Sequence, residues 1–209
     1  MINKILIFGD SISYGKWDTE GGWVARLRNY IDQELNIGKG GSTLVYNLGI
    51  PGEVAIRMVN RMKQELESRI TSKDDKLLVI IAIGVNDSCP NNWMTNAQTP
   101  EVDFKNALRT MIEIAKDLDC EVLVLGLAPV NKTKPTKRGL KFTNSEVKKY
   151  DLYISDVCKE TSTQKIDIFD VLIKSEYSDQ LVDVVHPNTN GHKLIFNAVK
   201  TNLRLPPSR

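Results

Sequence analysis

The sequence predicts a three-layer α/β/α sandwich, with a mainly parallel five-stranded sheet between two layers of helices. Two patterns and the chain length carry this prediction. Five short runs rich in Ile, Val and Leu recur along the chain, and the segments between them repeat apolar residues at helical spacing. Runs that are apolar on both faces read as strands buried between layers, whereas half-exposed strands alternate apolar and polar residues. Strands alternating with helices build right-handed crossover units, which produce a parallel sheet with helices on both sides. The 209 residues exceed the usual span of one domain but leave little chain for a second core. One domain over residues 1–205 is expected, with 206–209 a frayed tail because the Pro206-Pro207 pair cannot continue a helix.

The first run, Ile5 to Phe8, follows a polar start and is too short for a secretory signal core. Trp23, Leu27, Ile31 and Leu35 mark the helix after it. The Gly38-Lys39-Gly40-Gly41-Ser42 segment then leads, as a loop, into the second run, Leu44 to Tyr46. Neither a phosphate-binding loop nor a dinucleotide fingerprint can be threaded through those glycines. Val54, Met58, Met62, Leu66 and Ile70 form the next helical stripe, and Leu77 to Ile83 the third run. Phe104, Leu108, Met111 and Ala115 precede the fourth run, Val122 to Leu127; Val147, Tyr150, Ile154 and Val157 precede the fifth, Ile166 to Phe169. Leu194, Ile195, Ala198 and Val199 lie in a last helix.

Composition narrows the function classes. Lys plus Arg number 28 against 26 for Asp plus Glu, a formal charge of +2, so no strong field makes nucleic acid or an anionic bilayer the default partner. The longest apolar stretch is Leu77 to Ile83, far below the ~20 residues of a membrane helix. Membrane insertion is therefore not expected, and a soluble, cytoplasmic protein is. Cys89, Cys120 and Cys158 are odd in number and far apart, which reads as free thiols in a reducing compartment. No His-Glu-x-x-His pattern, cysteine pair or carboxylate cluster offers a metal cage, so neither metal nor cofactor is expected. Nothing in the sequence specifies an oligomeric state.

In an open parallel sheet the loops leaving the carboxyl ends of the strands gather on one edge, where ligands bind. Gly9-Asp10-Ser11 follows the first run, Asn47-Leu48-Gly49-Ile50-Pro51-Gly52 the second, and Gly84-Val85-Asn86-Asp87 the third. Asp183-Val184-Val185-His186-Pro187-Asn188 follows the fifth. A serine at a strand-to-helix turn is a nucleophile if a base reaches its hydroxyl, yet Gly-Asp-Ser alone also reads as a helix cap. Of two histidines, His186 sits three residues after Asp183, a spacing that lets a carboxylate fix the imidazole tautomer. Read in isolation it is equally a surface histidine before a proline turn. His192 falls inside the last helical stripe and reads as a packing residue. Gly49 and Asn86 have the donors an oxyanion needs, and are also ordinary turn residues.

Taken together, Gly9-Asp10-Ser11-Ile12, Gly49, Gly84-Val85-Asn86-Asp87 and Asp183-Val184-Val185-His186-Pro187 resemble the four blocks of the SGNH, or GDSL-type, hydrolases in order and position. The resemblance spans Gly9 to His186. It implies a flavodoxin-like strand order 2-1-3-4-5 and a serine esterase acting on a small-molecule ester: a short acyl ester, an acetylated sugar, a lysolipid or a thioester. It also implies Ser11 as nucleophile, His186 as base and Asp183 as its orienting acid. The oxyanion hole it implies comprises the Ser11 and Gly49 amides and the Asn86 side chain. Ile12 stands where leucine is usual, and Val184 where glycine commonly follows the aspartate. A non-catalytic carbohydrate- or small-molecule-binding protein on the same fold is the alternative from a different class.

Two long connections are expected to border the site. Ser88 to Pro100 carries Cys89, Trp93 and Met94, and Trp93 offers an aromatic face for a sugar or an acyl chain, unless it folds onto the body. Lys132, Lys134, Lys137, Arg138 and Lys141 make the other connection basic, suited to an anionic group on the substrate or simply to water.

Overall fold

Five parallel strands run through the middle of the protein: β1 Lys4–Gly9, β2 Leu44–Gly49, β3 Leu77–Ala82, β4 Glu121–Leu125 and β5 Gln164–Ile166. Their order is β2-β1-β3-β4-β5, as expected from the resemblance. The computed structural model describes residues 2–91, 98–136 and 139–203. Trp93, Met94, Lys137, Arg138 and the 206–209 tail lie outside the described residues.

Successive side chains of a strand point to opposite faces, and this alternation divides the core in two. Leu6 and Phe8 of β1 and Val79 and Ile81 of β3 pack on one side. They meet Met58, Met62 and Leu66 of α3 (Ala55–Glu67), Phe104 to Ala115 of α4 (Glu101–Asp117), and Val147, Tyr150 and Ile154 of α5 (Asn144–Glu160). Ile5, Ile7, Leu78 and Ile80 face the other way, against Trp23 and Leu27 of α2 (Gly22–Ile31). Two short helices are α1 (Ser11–Tyr14), directly after β1, and α6 (Phe169–Ile173) after β5. Leu172 of α6 and Ile195 and Val199 of α7 (Thr189–Asn202) share the second side.

The runs predicted to be buried on both faces are so in β1 and β3 but not in β2, where Leu44 and Asn47 are exposed. β2 is a sheet edge and lacks a neighbour on one side. The fifth run is also divided, because Phe169 opens α6 rather than extending β5.

The order fixes where a site can form. After β1 the chain turns to β2 on one side, then crosses back to β3 on the other, so the carboxyl ends of β1 and β3 flank the switch point. Ser11 follows β1 and Asn86 follows β3.

Candidate active site

Gly9 lets the chain turn tightly out of β1: a Cβ there would lie 2.2 Å from Ser13 Oγ and 3.0 Å from the Ala82 carbonyl. Asp10 caps α1, its Oδ1 accepting the Ile12 N–H at 2.8 Å. Ser11 is thus the first helical residue, and its own N–H has no intrahelical acceptor.

Ser11 Oγ lies 2.8 Å from His186 Nε2, and His186 Nδ1 lies 2.8 Å from both oxygens of Asp183. The turn bearing these two side chains is closed by its own backbone. Val182 N–H donates to the His186 carbonyl at 2.8 Å, and Leu181 bridges Pro187 in antiparallel fashion. Asn188 then caps α7, accepting the Gly191 N–H at 3.0 Å. Asp183 Oδ1 also accepts the N–H groups of Val185 at 3.0 Å and His186 at 2.8 Å. Burial works against the Asp183 charge, but the His186 hydrogen bond, the His186 charge and these two amides outweigh it and hold the carboxyl well below its ordinary range. An ionised carboxylate only accepts, so Nδ1 carries a proton, and in the neutral imidazole Nε2 is left to accept from the Ser11 hydroxyl.

Val184 is built into this turn. Its side chain is buried in the core, its N–H donates to the Pro135 carbonyl at 3.0 Å, and its carbonyl accepts from Asn131 N–H at 3.0 Å. Val184 therefore fastens the 131–136 loop to the Asp183 turn.

Asn86 is buried at the switch point, its Nδ2 donating to the Glu53 carbonyl at 3.0 Å and lying 3.4 Å from Asp10 Oδ2. Asp87 beside it is fully buried. It receives the Ala55 N–H on both oxygens, at 3.0 and 3.2 Å, and the Thr99 hydroxyl at 2.8 Å. Asp87 thereby fixes the start of α3, the segment whose Glu53 carbonyl receives Asn86. Burial, helped by the neighbouring acidic charges, raises both Asp10 and Asp87 to about 7, against the pull of their hydrogen bonds.

Gly49, expected at the oxyanion, does not line the cleft. Its N–H donates to Asn47 Oδ1 at 3.1 Å, and a Cβ on it would sit 2.5 Å from Tyr14 N, so Gly49 serves the close packing of β2 against α1. Gly52, three residues on, lines the cleft with Ser11 and Asn86. Its φ of 81° is left-handed, and its N–H makes no hydrogen bond among the described residues. The strand-end stretch Asn47 to Gly52 contains both glycines; the length of β2 decides which one clears the sheet.

The cleft encloses about 270 Å³. Lys16 and Pro51 line it beside Ser11 and His186, as do Thr136, Leu140 and Phe142 of the basic connection. Lys132, Lys134 and Lys141 belong to that connection but not to the lining. His192 is fully buried away from the cleft, where burial lowers it to about 4. Cys89, Cys120 and Cys158 are free and buried, and burial pushes all three thiols up, which makes them poor nucleophiles. Among the described residues no group of three or more His, Cys, Asp or Glu is placed to hold a metal, and no helix is long and apolar enough to cross a membrane.

Residues 5–199 match the profile of the GDSL-like lipase/acylhydrolase family. The chain belongs to that family. As a GDSL-type protein it is a carboxylic ester hydrolase. Its fold is similar to that of an acetylxylan esterase from Geobacillus stearothermophilus, with 19% identity, TM-score 0.71, and coverage of 99% of this chain and 96% of that one. A second acetyl xylan esterase, at 18% identity, gives TM-score 0.76 over 96% and 99% of the two chains. A G-D-S-L family lipolytic protein from Veillonella parvula gives 0.71 at 19% identity over 97% and 99%. Comparison with curated protein sequences gives no match.

Proposed function

We propose that this GDSL hydrolase cleaves short acyl esters through an acyl-enzyme on Ser11, with His186 as base and Asp183 orienting it. The observation that carries the proposal is the unbroken chain from Ser11 Oγ to His186 Nε2 and from His186 Nδ1 to Asp183, at 2.8 Å in each link. His186 takes the Ser11 proton as Oγ attacks the ester carbonyl, and the imidazolium returns it to the departing alcohol. Water then repeats the sequence on the acyl-enzyme, releasing the acid and restoring Ser11. The negative oxygen of each tetrahedral intermediate is received by the Ser11 N–H, the Gly52 N–H and the Asn86 amide. Gly52 thus replaces Gly49 in the oxyanion hole.

A cleft of about 270 Å³ lies near the lower end of small-molecule sites, which favours a short acyl group over a long one. Two fold neighbours are named acetylxylan esterases. For the Geobacillus enzyme, a serine-to-alanine and a histidine-to-alanine form are both described as catalytic mutants. An acetylated carbohydrate is accordingly the substrate class we favour.

A fluorophosphonate probe should label the wild type and not Ser11→Ala, and turnover of p-nitrophenyl acetate should fall by several orders of magnitude in that variant. Wild-type turnover in Ser11→Ala would overturn the nucleophile. In a series of p-nitrophenyl esters of rising chain length beside acetylated xylose, kcat/KM should be greatest for acetyl; a maximum at a long acyl chain would overturn the substrate class.

A further inference from the structure

Asp183 is held from two directions, and one of them belongs to a segment with no part in the reaction just described. Its Oδ1 accepts the two amides of its own turn, while Oδ2 accepts the Trp17 indole Nε1–H at 3.1 Å. Trp17 is 166 residues away in sequence, in the loop between α1 and α2. We propose that Trp17 is a positioning residue for the catalytic acid, and that the loop from Gly15 to Gly22 is built to deliver its indole N–H to Asp183. The inference rests on the Ser11–His186–Asp183 reading above.

The loop has more internal structure than a connection of its length requires. Gly15, Gly21 and Gly22 have φ of 91°, 81° and 83°, and Trp17 itself is left-handed at 69°, a conformation a bulky side chain adopts only when its surroundings impose it. Gly15 and Gly22 close the loop on each other: a Cβ on Gly22 would stand 2.4 Å from Gly15 Cα. Inside the loop the Asp18 side chain is fully buried. It accepts the N–H groups of Glu20 at 3.1 Å and Gly22 at 2.9 Å, the Thr189 hydroxyl at 2.8 Å, and the Arg26 guanidinium. Thr189 is the first residue of α7, three residues after His186. One carboxylate therefore ties the Trp17 loop to the element that follows the base. The Lys16 ammonium lies 5.1 Å from the centre of the Trp17 ring, a cation–π contact on the indole.

The physical consequence concerns rotation of a carboxylate. Both oxygens of Asp183 reach His186 Nδ1, and two amides on Oδ1 leave the plane of the group free to tilt about that oxygen. A third donor on Oδ2 removes that freedom and holds the imidazole so that Nε2 faces Ser11 Oγ. Loss of this donor acts on the step in which the imidazole gains charge, and not on substrate affinity.

Trp17→Phe keeps the ring and deletes the N–H; Asp18→Asn keeps the volume and weakens the loop's anchor. With p-nitrophenyl acetate both should lower kcat about tenfold and leave KM within a factor of about two, the effect expected for a lost hydrogen bond to a charged group. Each substitution should then be introduced into Asp183→Asn. If Trp17 acts through Asp183, it has nothing left to position there, and neither substitution should reduce the residual rate further. Unchanged kcat in both single variants would overturn the inference. So would a rise in KM alone, which would make Trp17 a substrate contact, or an equal loss in the Asp183→Asn background, which would make the effect general. Ser11→Ala in the same assay keeps the two readings apart: an inactive Ser11→Ala beside a fully active Trp17→Phe sinks only the role of Trp17.

Discussion

Replacing Asn86 by alanine separates two jobs that one amide performs. In the free protein Nδ2 donates to the buried Glu53 carbonyl at 3.0 Å and makes a long contact of 3.4 Å to Asp10 Oδ2. Deleting it strands a buried carbonyl, which costs about 1–3 kcal/mol of stability, or a fall in Tm of roughly 2–12 °C for a chain of this size. In the oxyanion role proposed for it above, the same amide would meet a negative charge in the transition state, so the substitution should also lower kcat by about 10²–10³, worth ~2.7–4 kcal/mol. The two losses are read independently. Thermal unfolding reports the first, and stopped-flow turnover of p-nitrophenyl acetate well below the variant's Tm reports the second, with KM nearly unchanged. Asn86→Asp preserves the shape but offers the oxyanion no donor and adds a carboxyl beside Asp10, so it should lose at least as much kcat. A variant with near-normal kcat and a KM raised about a hundredfold would refute the reasoning, since it would make Asn86 a ground-state contact. A loss in kcat that vanished on cooling would refute it as well, by assigning the effect to unfolding.

Three further predictions concern Asp87 and the two glycines. Because burial raises Asp10 and Asp87 to about 7, above their unfolded value of 3.8, the stability each contributes is fully present below pH ~4 and is lost as pH rises through about 7. Asp87→Asn keeps an acceptor for the Ala55 N–H, removes one such group and relieves Asp10 of a like charge, so Tm between pH 4.5 and 7.5 should depend less on pH than in wild type. Parallel Tm profiles would show that Asp87 does not titrate there. Gly52→Ala should lower kcat at unchanged KM with a stability cost of about 1–2 kcal/mol from its left-handed φ. Gly49→Ala would drive a Cβ to 2.5 Å from Tyr14 N, and should show its effect chiefly in Tm. If Gly49→Ala folded normally and lost only kcat, the assignment of Gly52 would fail.

The layers of this protein are legible in its sequence because burial between two helical layers demands apolar residues at every position of a central strand, and at every third or fourth position of a covering helix. Ile5 to Phe8, Leu77 to Ile83 and the stripe from Val54 to Leu66 state those demands without ambiguity. Ser11 and Asn86 could be placed for a related reason, since each follows a strand whose end can be read, whereas Asp183 and His186 were singled out by scarcity, with only two histidines in the chain, and by their spacing. The edge strands were harder. β2 has one neighbour instead of two, and with Leu44 and Asn47 exposed its apolar run is a poor guide to where the strand stops.

Three features were decided only by the tertiary structure. Gly49 and Gly52 are equivalent as letters, and which of them reaches the cleft follows from β2 continuing to Gly49 in register with Gly9, which leaves Gly52 to turn into the cleft. Asp183 keeps its turn despite Val184 because the valine side chain is taken up by the core and its backbone by the 131–136 loop, partners no local pattern can announce. Trp17 lies in no strand, stripe or block, and its contact with Asp183 spans 166 residues. Periodicity records what a residue faces within its own element. A hydrogen bond between two loops depends on how the elements beneath them pack, and here that packing, through Asp18, Arg26 and Thr189, brings the indole and the carboxylate within reach.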